Sequence, residues 1–390
     1  MKYSNRATNL AESATIAIST LAQELQRQGK DILSFSTGEP DFDTPKAIKD
    51  AAIQALNDGF TKYTPVAGIL ELRKAIALKL KRENNLDYEP SEILVSNGAK
   101  QSLFNAIQAL IEEGDEVIIP APYWVTYPEI VTYSGGKNVF INTKESDGFK
   151  ITPQMLKAAI TPKTKMLVLT TPSNPTGMVY SKEEILALYE VIKDTNILVL
   201  SDEMYEKLVF DGSFCAVASL NEDLLNRTIV VNGLSKSVAM TGWRIGYLAT
   251  KDKKLIKMMD NLQSQCTSNI NSITQKASLV ALDGSVDGEI EKMRLAFVER
   301  CNFAFEAINK INGLSVIKPQ GAFYLFINIQ EITQDSMQFC KDLLERQGVA
   351  LVPGVAFGMD GYVRLSFACS LEQIKAGIKR IEAFVDSYKK

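Results

Sequence analysis

The chain has 390 residues, of which 46% are hydrophobic, 23% charged and 8% aromatic, values of a globular protein rather than a disordered, coiled-coil or collagen-like one. Lys and Arg number 43 against 46 Asp and Glu, so the net charge of −3 offers no basic field for nucleic acid and no polybasic membrane signal. There is no histidine, which removes Ser-His-Asp triads, H-E-x-x-H zinc sites and the usual neutral-pH base, and leaves proton transfer to Lys, Tyr, Cys, a carboxylate or a cofactor.

In chain order, Lys2 and Arg6 precede Glu12, which interrupts the next apolar stretch before a signal-peptide or transit-peptide pattern forms, and the expected location is cytoplasmic. A helical stretch, Ala14–Gln28, leads to the loop Thr37-Gly38-Glu39-Pro40. From Ile93 short β-branched runs alternate with amphipathic ones: Ile93–Ser96, Glu116–Pro120, Asn138–Asn142, Met166–Thr170, Ile197–Ser201, Thr228–Asn232 and Ile245–Ala249. The early gaps leave room for a helix between parallel strands, whereas the short last gap predicts an antiparallel neighbour. The fold class is therefore α/β, with a seven-stranded, mostly parallel sheet flanked by helices.

A long helical region from about Lys253 to Asn312, broken near Asp283-Gly284-Ser285, bridges to a smaller α+β unit. That unit has strands at Ala322–Ile327 and Tyr362–Phe367 and helices near Met337–Gln347 and Glu372–Tyr388. The boundaries read as 1–45 for an N-terminal segment joining the small unit, 46–283 for the large domain and 284–390 for the small one. A ligand is expected in the crevice between them. Cys215, Cys266, Cys301, Cys340 and Cys369 are odd in number and far apart, which argues against a disulfide framework or a thiolate metal site. No apolar run approaches the roughly 18 residues that span a bilayer.

No G-x-G-x-x-G or G-x-x-x-x-G-K-[ST] loop occurs, so a dehydrogenase or NTPase reading is weak. Lys236 stands just past a buried strand among small and apolar residues. A surface lysine normally keeps its charge in water, but desolvation and a nearby cation would leave this amine neutral and able to attack a carbonyl. Asp202 closes another strand, with Tyr205 one turn on; a buried carboxylate there could keep a pyridine ring cationic, while the phenol bonds a ring oxygen. Asn174 lies in the stiff turn Thr171-Pro-Ser-Asn-Pro-Thr-Gly177. Ser96-Asn-Gly98-Ala99-Lys100 joins a strand to a helix beginning near Gln101, and its free N–H groups suit a phosphate, with Arg244 able to complete the cradle. The Trp124 ring could lie on a planar cofactor, whereas Trp243 reads as core. Arg364 interrupts an apolar strand and asks for a carboxylate, either an internal Asp or Glu or a substrate's.

These residues sit in Gly38-Glu-Pro-Asp-Phe-Asp-Thr-Pro45, Thr61-Lys-Tyr-Thr-Pro65, Pro122-Tyr-Trp-Val125, Ser173-Asn-Pro-Thr-Gly177, Ser201-Asp-Glu-Met-Tyr205, Ser235-Lys236 through Tyr247 and Val363-Arg-Leu-Ser366. On these segments the chain resembles class I aminotransferases of the aspartate aminotransferase type, fold type I, which use pyridoxal 5′-phosphate (PLP). The resemblance implies that Lys236 is the Schiff-base lysine and proton shuttle, Asp202 the partner of the ring nitrogen, and Asn174 and Tyr205 donors to the ring oxygen. It implies that Trp124 stacks on the ring, that Gly98, Ala99, Lys100, Ser235 and Arg244 hold the phosphate, and that Tyr63 reaches it from the second subunit of a homodimer. Gly38, Lys100, Trp124, Asn174 and Arg364 would bind substrate, an amino acid or 2-oxo acid, and no metal is expected.

In similar aminotransferases a lysine at the place of Lys100 faces a distal carboxylate, so aspartate with 2-oxoglutarate is the first expectation, in ping-pong turnover. Relatives active on prephenate often carry a lysine before the Ser-Ala-Thr run, where this chain has Ala11-Glu12 before Ser13-Ala-Thr15. Prephenate therefore ranks below aspartate, beside aromatic amino acids and alanine. A PLP-dependent lyase or cyclising synthase of the same fold is the rival enzyme class. Transcription regulators with an aminotransferase-like domain add a basic DNA-binding segment that is not seen here.

Overall fold

A computed structural model describes residues 3–11 and 14–388. Glu12 and Ser13, on which the prephenate comparison turns, and Lys2 lie outside the described residues.

All seven expected strands form one sheet, in the spatial order Ile93–Ser96, Gly246–Ala249, Thr228–Gly233, Leu198–Asp202, Thr164–Thr170, Glu116–Ala121 and Lys137–Asn142. Gly246–Ala249 runs antiparallel to both neighbours, as its short connection requires, and the other strand pairs are parallel. Four strands (Ile93–Ser96, Leu198–Asp202, Thr228–Gly233 and Gly246–Ala249) are buried almost throughout, because helices cover both faces; this is why they read as continuous apolar runs. Lys137–Asn142 is the partly exposed edge, and its leading lysine discourages further pairing.

The parallel strands deliver Ser96, Thr170, Asp202 and Gly233 to one edge of the sheet, the end at which open α/β sheets place ligands. There the antiparallel strand meets the helix Ala99–Leu110. A Cβ on Gly246 would fall inside contact distance of Ala99 N and Gly98 C, so only glycine lets the strand backbone touch the helix start.

The second unit has an antiparallel sheet in which Tyr362–Ser366 lies between Val352–Pro353 and Tyr324–Asn328. A parallel pair, Leu33–Ser34 with Val349–Ala350, ties the N-terminal segment to it. Phe35, Phe297, Phe323, Phe339, Phe367 and Phe384 pack in one core there. The three two-residue strands escape a periodicity reading because they are shorter than one alternation. The helical region breaks near residues 283–286 as expected, and it breaks a second time between Cys266 and Ser272, where Ser268 has φ +60 and Asn271 caps the following helix through the Thr274 N–H. The phosphate-site helix starts at Ala99, two residues before the expected Gln101. Among the described residues no helix is long and apolar enough to cross a membrane.

Replacing Gly246 with Ala should lower the free energy of unfolding by about 1–3 kcal/mol, the usual range for overpacking. Urea denaturation checks this, and an unchanged midpoint would contradict so close an approach of strand and helix.

Candidate active site

The turn after Thr228–Gly233 carries Ser235 and Lys236 into a cavity of about 330 Å³ at the strand ends. Lys236 Nζ donates to the Gly38 carbonyl and stands 5.8 Å from the Phe323 ring centre. Burial lowers its pKa to about 8, with Arg364 and Arg244 acting in the same direction and Glu39 and Asp202 opposing. Gly38 is fixed by the same contact region, since a Cβ there would collide with the Tyr324 hydroxyl.

Opposite the lysine, Asp202 ends the Leu198–Asp202 strand and is 5% exposed. Tyr127 Oη donates to Oδ2 at 2.7 Å and the Met204 N–H to Oδ1 at 3.2 Å. Burial raises the Asp202 pKa; the bonds from Tyr127 and Met204 and the charge of Lys236 pull the other way without offsetting it. Tyr205 pairs with Tyr324, their hydroxyl oxygens 2.8 Å apart.

At the far end of the cavity Gly98, with φ +79, caps the helix Ala99–Leu110 and lies under the Arg244 guanidinium, where any Cβ would clash. Arg244 itself adopts φ +53 and donates to Thr241 O at 2.9 Å and Asn97 O at 3.3 Å. A helix N-terminus, an arginine and the adjacent Ser235 thus face one space, a setting suited to an anion. Trp124 forms one wall, and Lys100 Nζ stands 4.9 Å from its ring centre.

Arg364, in the middle strand of the small sheet, is 3% exposed and lies 4.4 Å and 5.0 Å from the ring centres of Tyr324 and Phe357. Nη1 donates to Asn174 Oδ1 at 3.0 Å and Nη2 to Ser36 O at 2.7 Å, while Nε has no partner. No carboxylate among the described residues lies within 4 Å of Arg364 or Lys100. Of the two partners open to Arg364 from the sequence, an internal acid is therefore absent from the described residues.

The cavity thus gathers Gly38, Ala99, Lys100, Trp124, Asn174, Asp202, Tyr205, Ser235, Lys236, Arg244 and Arg364, with Gly98 beneath them. Tyr63 is the exception: it is 90% exposed and its own chain does not bring it to the cavity. Tyr127, Tyr324, Glu39 and Thr241 also line the space and escaped sequence reasoning. Tyr127 had a usable signal, standing three residues after Trp124 on the start of a helix and packing edge-on to it at 5.5 Å. Tyr324 looks like one more apolar strand residue.

Comparison with known proteins follows the same lines. The aminotransferase class I and II family matches residues 30–381. Across its whole length the chain is 47% identical to an aspartate aminotransferase of Bacillus subtilis (strain 168), with all of both chains covered. It is 48% identical to an aspartate/prephenate aminotransferase of Nitrosomonas europaea, covering 99% of this chain and 100% of the relative. Among solved structures, aspartate aminotransferase from Thermus thermophilus with maleate superposes with a TM-score of 0.95 at 42% identity, covering 98% of this chain and 99% of that one. The chain belongs to the aminotransferase class I and II family, which uses PLP, and is an aminotransferase.

Proposed function

We propose that this aminotransferase moves the amino group of L-aspartate to 2-oxoglutarate, forming oxaloacetate and L-glutamate, with PLP held in the cavity at the strand ends. The observation that carries the substrate class is the pair of cations without carboxylate partners, Arg364 and Lys100, on one cavity. Two cations facing one space match a dicarboxylate: Arg364 offers a planar donor fork to the α-carboxylate and Lys100 a point charge to the distal one. The relatives named for aspartate and the one whose structure holds maleate, itself a dicarboxylate, support this choice.

The residues present fit PLP. The Ala99 helix start with Arg244, Ser235 and Gly98 would hold its phosphate, and the Trp124 ring would cover one face. Asp202, buried and without a cationic partner at bonding distance, is suited to a protonated ring nitrogen, and Asn174 and Tyr205 to the ring oxygen. When bound, PLP supplies an electron-withdrawing ring that stabilises the charge left on a carbon from which a proton is removed. Lys236 performs the proton transfer at the substrate Cα. With a pKa of about 8, roughly a tenth of this amine is neutral at pH 7, against about one part in 3,000 for an ordinary lysine. The Gly38 carbonyl holds the amine at the cavity floor. Arg364, clamped by Asn174 and Ser36, orients the substrate by its carboxylate. Tyr63, exposed on its own chain, would reach the phosphate end of a second copy's cavity, making a two-fold homodimer the functional unit. A second reading, transfer involving prephenate, is favoured by the Nitrosomonas europaea relative.

Activity with a panel of amino acids against 2-oxoglutarate, oxaloacetate and prephenate should rank aspartate and glutamate first; an aromatic donor in first place would contradict the dicarboxylate reading. Replacement of Lys100 by Ala should raise the KM for aspartate about 10- to 100-fold, the loss of one charge-assisted bond, while leaving alanine turnover unchanged. Borohydride should fix PLP to Lys236 in the native protein and to no residue in Lys236→Ala; a labelled peptide elsewhere would refute the assignment. Since burial lowers the lysine pKa, the rate at which PLP recombines with stripped protein should rise with pH and level off above about 8. A rate still climbing at pH 10 would show an ordinary, solvated amine.

A further inference from the structure

The segment 61–69, between the helices Lys46–Asn57 and Leu70–Asn84, carries the exposed Tyr63, yet the residues that follow are held by buried amides. Gln275, fully buried in the helix Ser272–Leu282, accepts at Oε1 from the Ile69 N–H at 2.8 Å. Its Nε2 donates to Thr64 Oγ1 at 2.9 Å and to Ile270 O at 3.1 Å. Gln263, equally buried one helix earlier, donates to Val66 O at 3.0 Å and Val95 O at 2.9 Å and accepts from Ser96 Oγ and Asn105 Nδ2. The Val95 N–H completes the tie by donating to Ala67 O at 3.1 Å. Burying primary amides costs free energy unless their donors and acceptors are satisfied, and three of these bonds, to Thr64, Val66 and Ile69, are spent on this one short segment. A connection between two helices needs no such anchoring. A segment that must hold an exposed side chain at a fixed place beyond its own surface does.

The two glutamines differ in reach. Gln263 also grips the strand that enters the Gly98 cradle, so its loss would disturb the chain's own site as well. Among the described residues the Gln275 side chain hydrogen-bonds to Thr64, Ile69 and Ile270 and to no residue of the Gly98 cradle.

We infer that Gln275 is a positioning residue for Tyr63: by fixing Thr64 and Ile69 it sets the direction in which the tyrosine leaves the surface, so that its hydroxyl can donate to the phosphate end of a second copy's cavity. This rests on the shared-site dimer proposed above. Gln275 then serves the site of the other subunit and not its own.

Hybrid dimers test this. Each pairs one subunit that keeps Lys236 with one Lys236→Ala subunit, so that only one site can link PLP to lysine. Gln275→Leu is placed on either subunit, and the loss of the visible band of lysine-bound PLP is followed after dilution into inorganic phosphate. With Gln275→Leu on the Lys236→Ala subunit, release should be about tenfold faster than in the control hybrid, the size expected for one or two lost hydrogen bonds. With the change on the Lys236-bearing subunit, release should match the control. Faster release in that second hybrid, or equal acceleration in both, would overturn the inference as a general loss of stability. Gln275→Glu keeps the shape and the acceptor for Ile69 but loses both donors, and should give the same asymmetry if the leucine variant fails to assemble. Tyr63→Phe separates the positioning role of Gln275 from the shared site. If it speeds release when placed on the Lys236→Ala subunit while Gln275→Leu placed there does not, the positioning role is wrong and the shared site stands. If Tyr63→Phe acts only within its own subunit, or not at all, the shared site fails and the inference fails with it.

Discussion

Three charged groups face one cavity without being paired to one another: the buried Asp202 carboxylate, the buried Arg364 guanidinium and the half-buried Lys236 amine. Burying such groups costs several kcal/mol each unless something compensates them, and within the chain the compensation is partial. Asp202 has a tyrosine hydroxyl and one N–H, Arg364 has an amide oxygen, a carbonyl and two aromatic faces, and Lys236 has a carbonyl. Under the proposed function the counterparts come from outside the chain: a cation against the aspartate, a carboxylate against the arginine and an electrophilic carbon against the amine.

The scaffold serves this by bringing backbones closer than side chains would allow. Gly246 lets the antiparallel strand touch the helix start, Gly98 lets Arg244 lie over that start, and Gly38 lets a carbonyl pass beneath Tyr324 to the lysine. The small unit contributes Arg364 from a strand, a rigid platform, and the N-terminal segment links the two parts. It pairs with the small unit at Leu33–Ser34, while its Thr44 hydroxyl donates to Ala239 O at 2.7 Å, just past Lys236. The N-terminal segment therefore bridges the small unit and the stretch of chain that carries Lys236.

The sheet was legible because most of its strands are buried on both faces and so stand out as β-branched runs ending in turns, and the length of the last connection fixed its direction. The same reasoning located Lys236, Asp202 and Arg364, since a charged residue inside or just past an apolar strand is costly and needs a reason. Residues whose polar atoms serve only at their tips were hidden. Tyr324 and Tyr127 pack as core aromatics and differ only in where their hydroxyls point, which depends on the tertiary arrangement. The fully buried Gln263 and Gln275 were hidden for the same reason, because in sequence they are ordinary polar positions on amphipathic helices. Tyr63 was singled out by likeness to a family, and nothing in its own chain surrounds it.

Under the proposed function the buried Asp202 carboxylate keeps the ring nitrogen of bound PLP protonated. This is tested most directly by the nitrogen-15 chemical shift of PLP labelled at that atom in the intact enzyme near pH 8. The shift of a pyridinium is expected in the native protein and that of a neutral pyridine in Asp202→Asn. A neutral-pyridine shift in the native protein would contradict it.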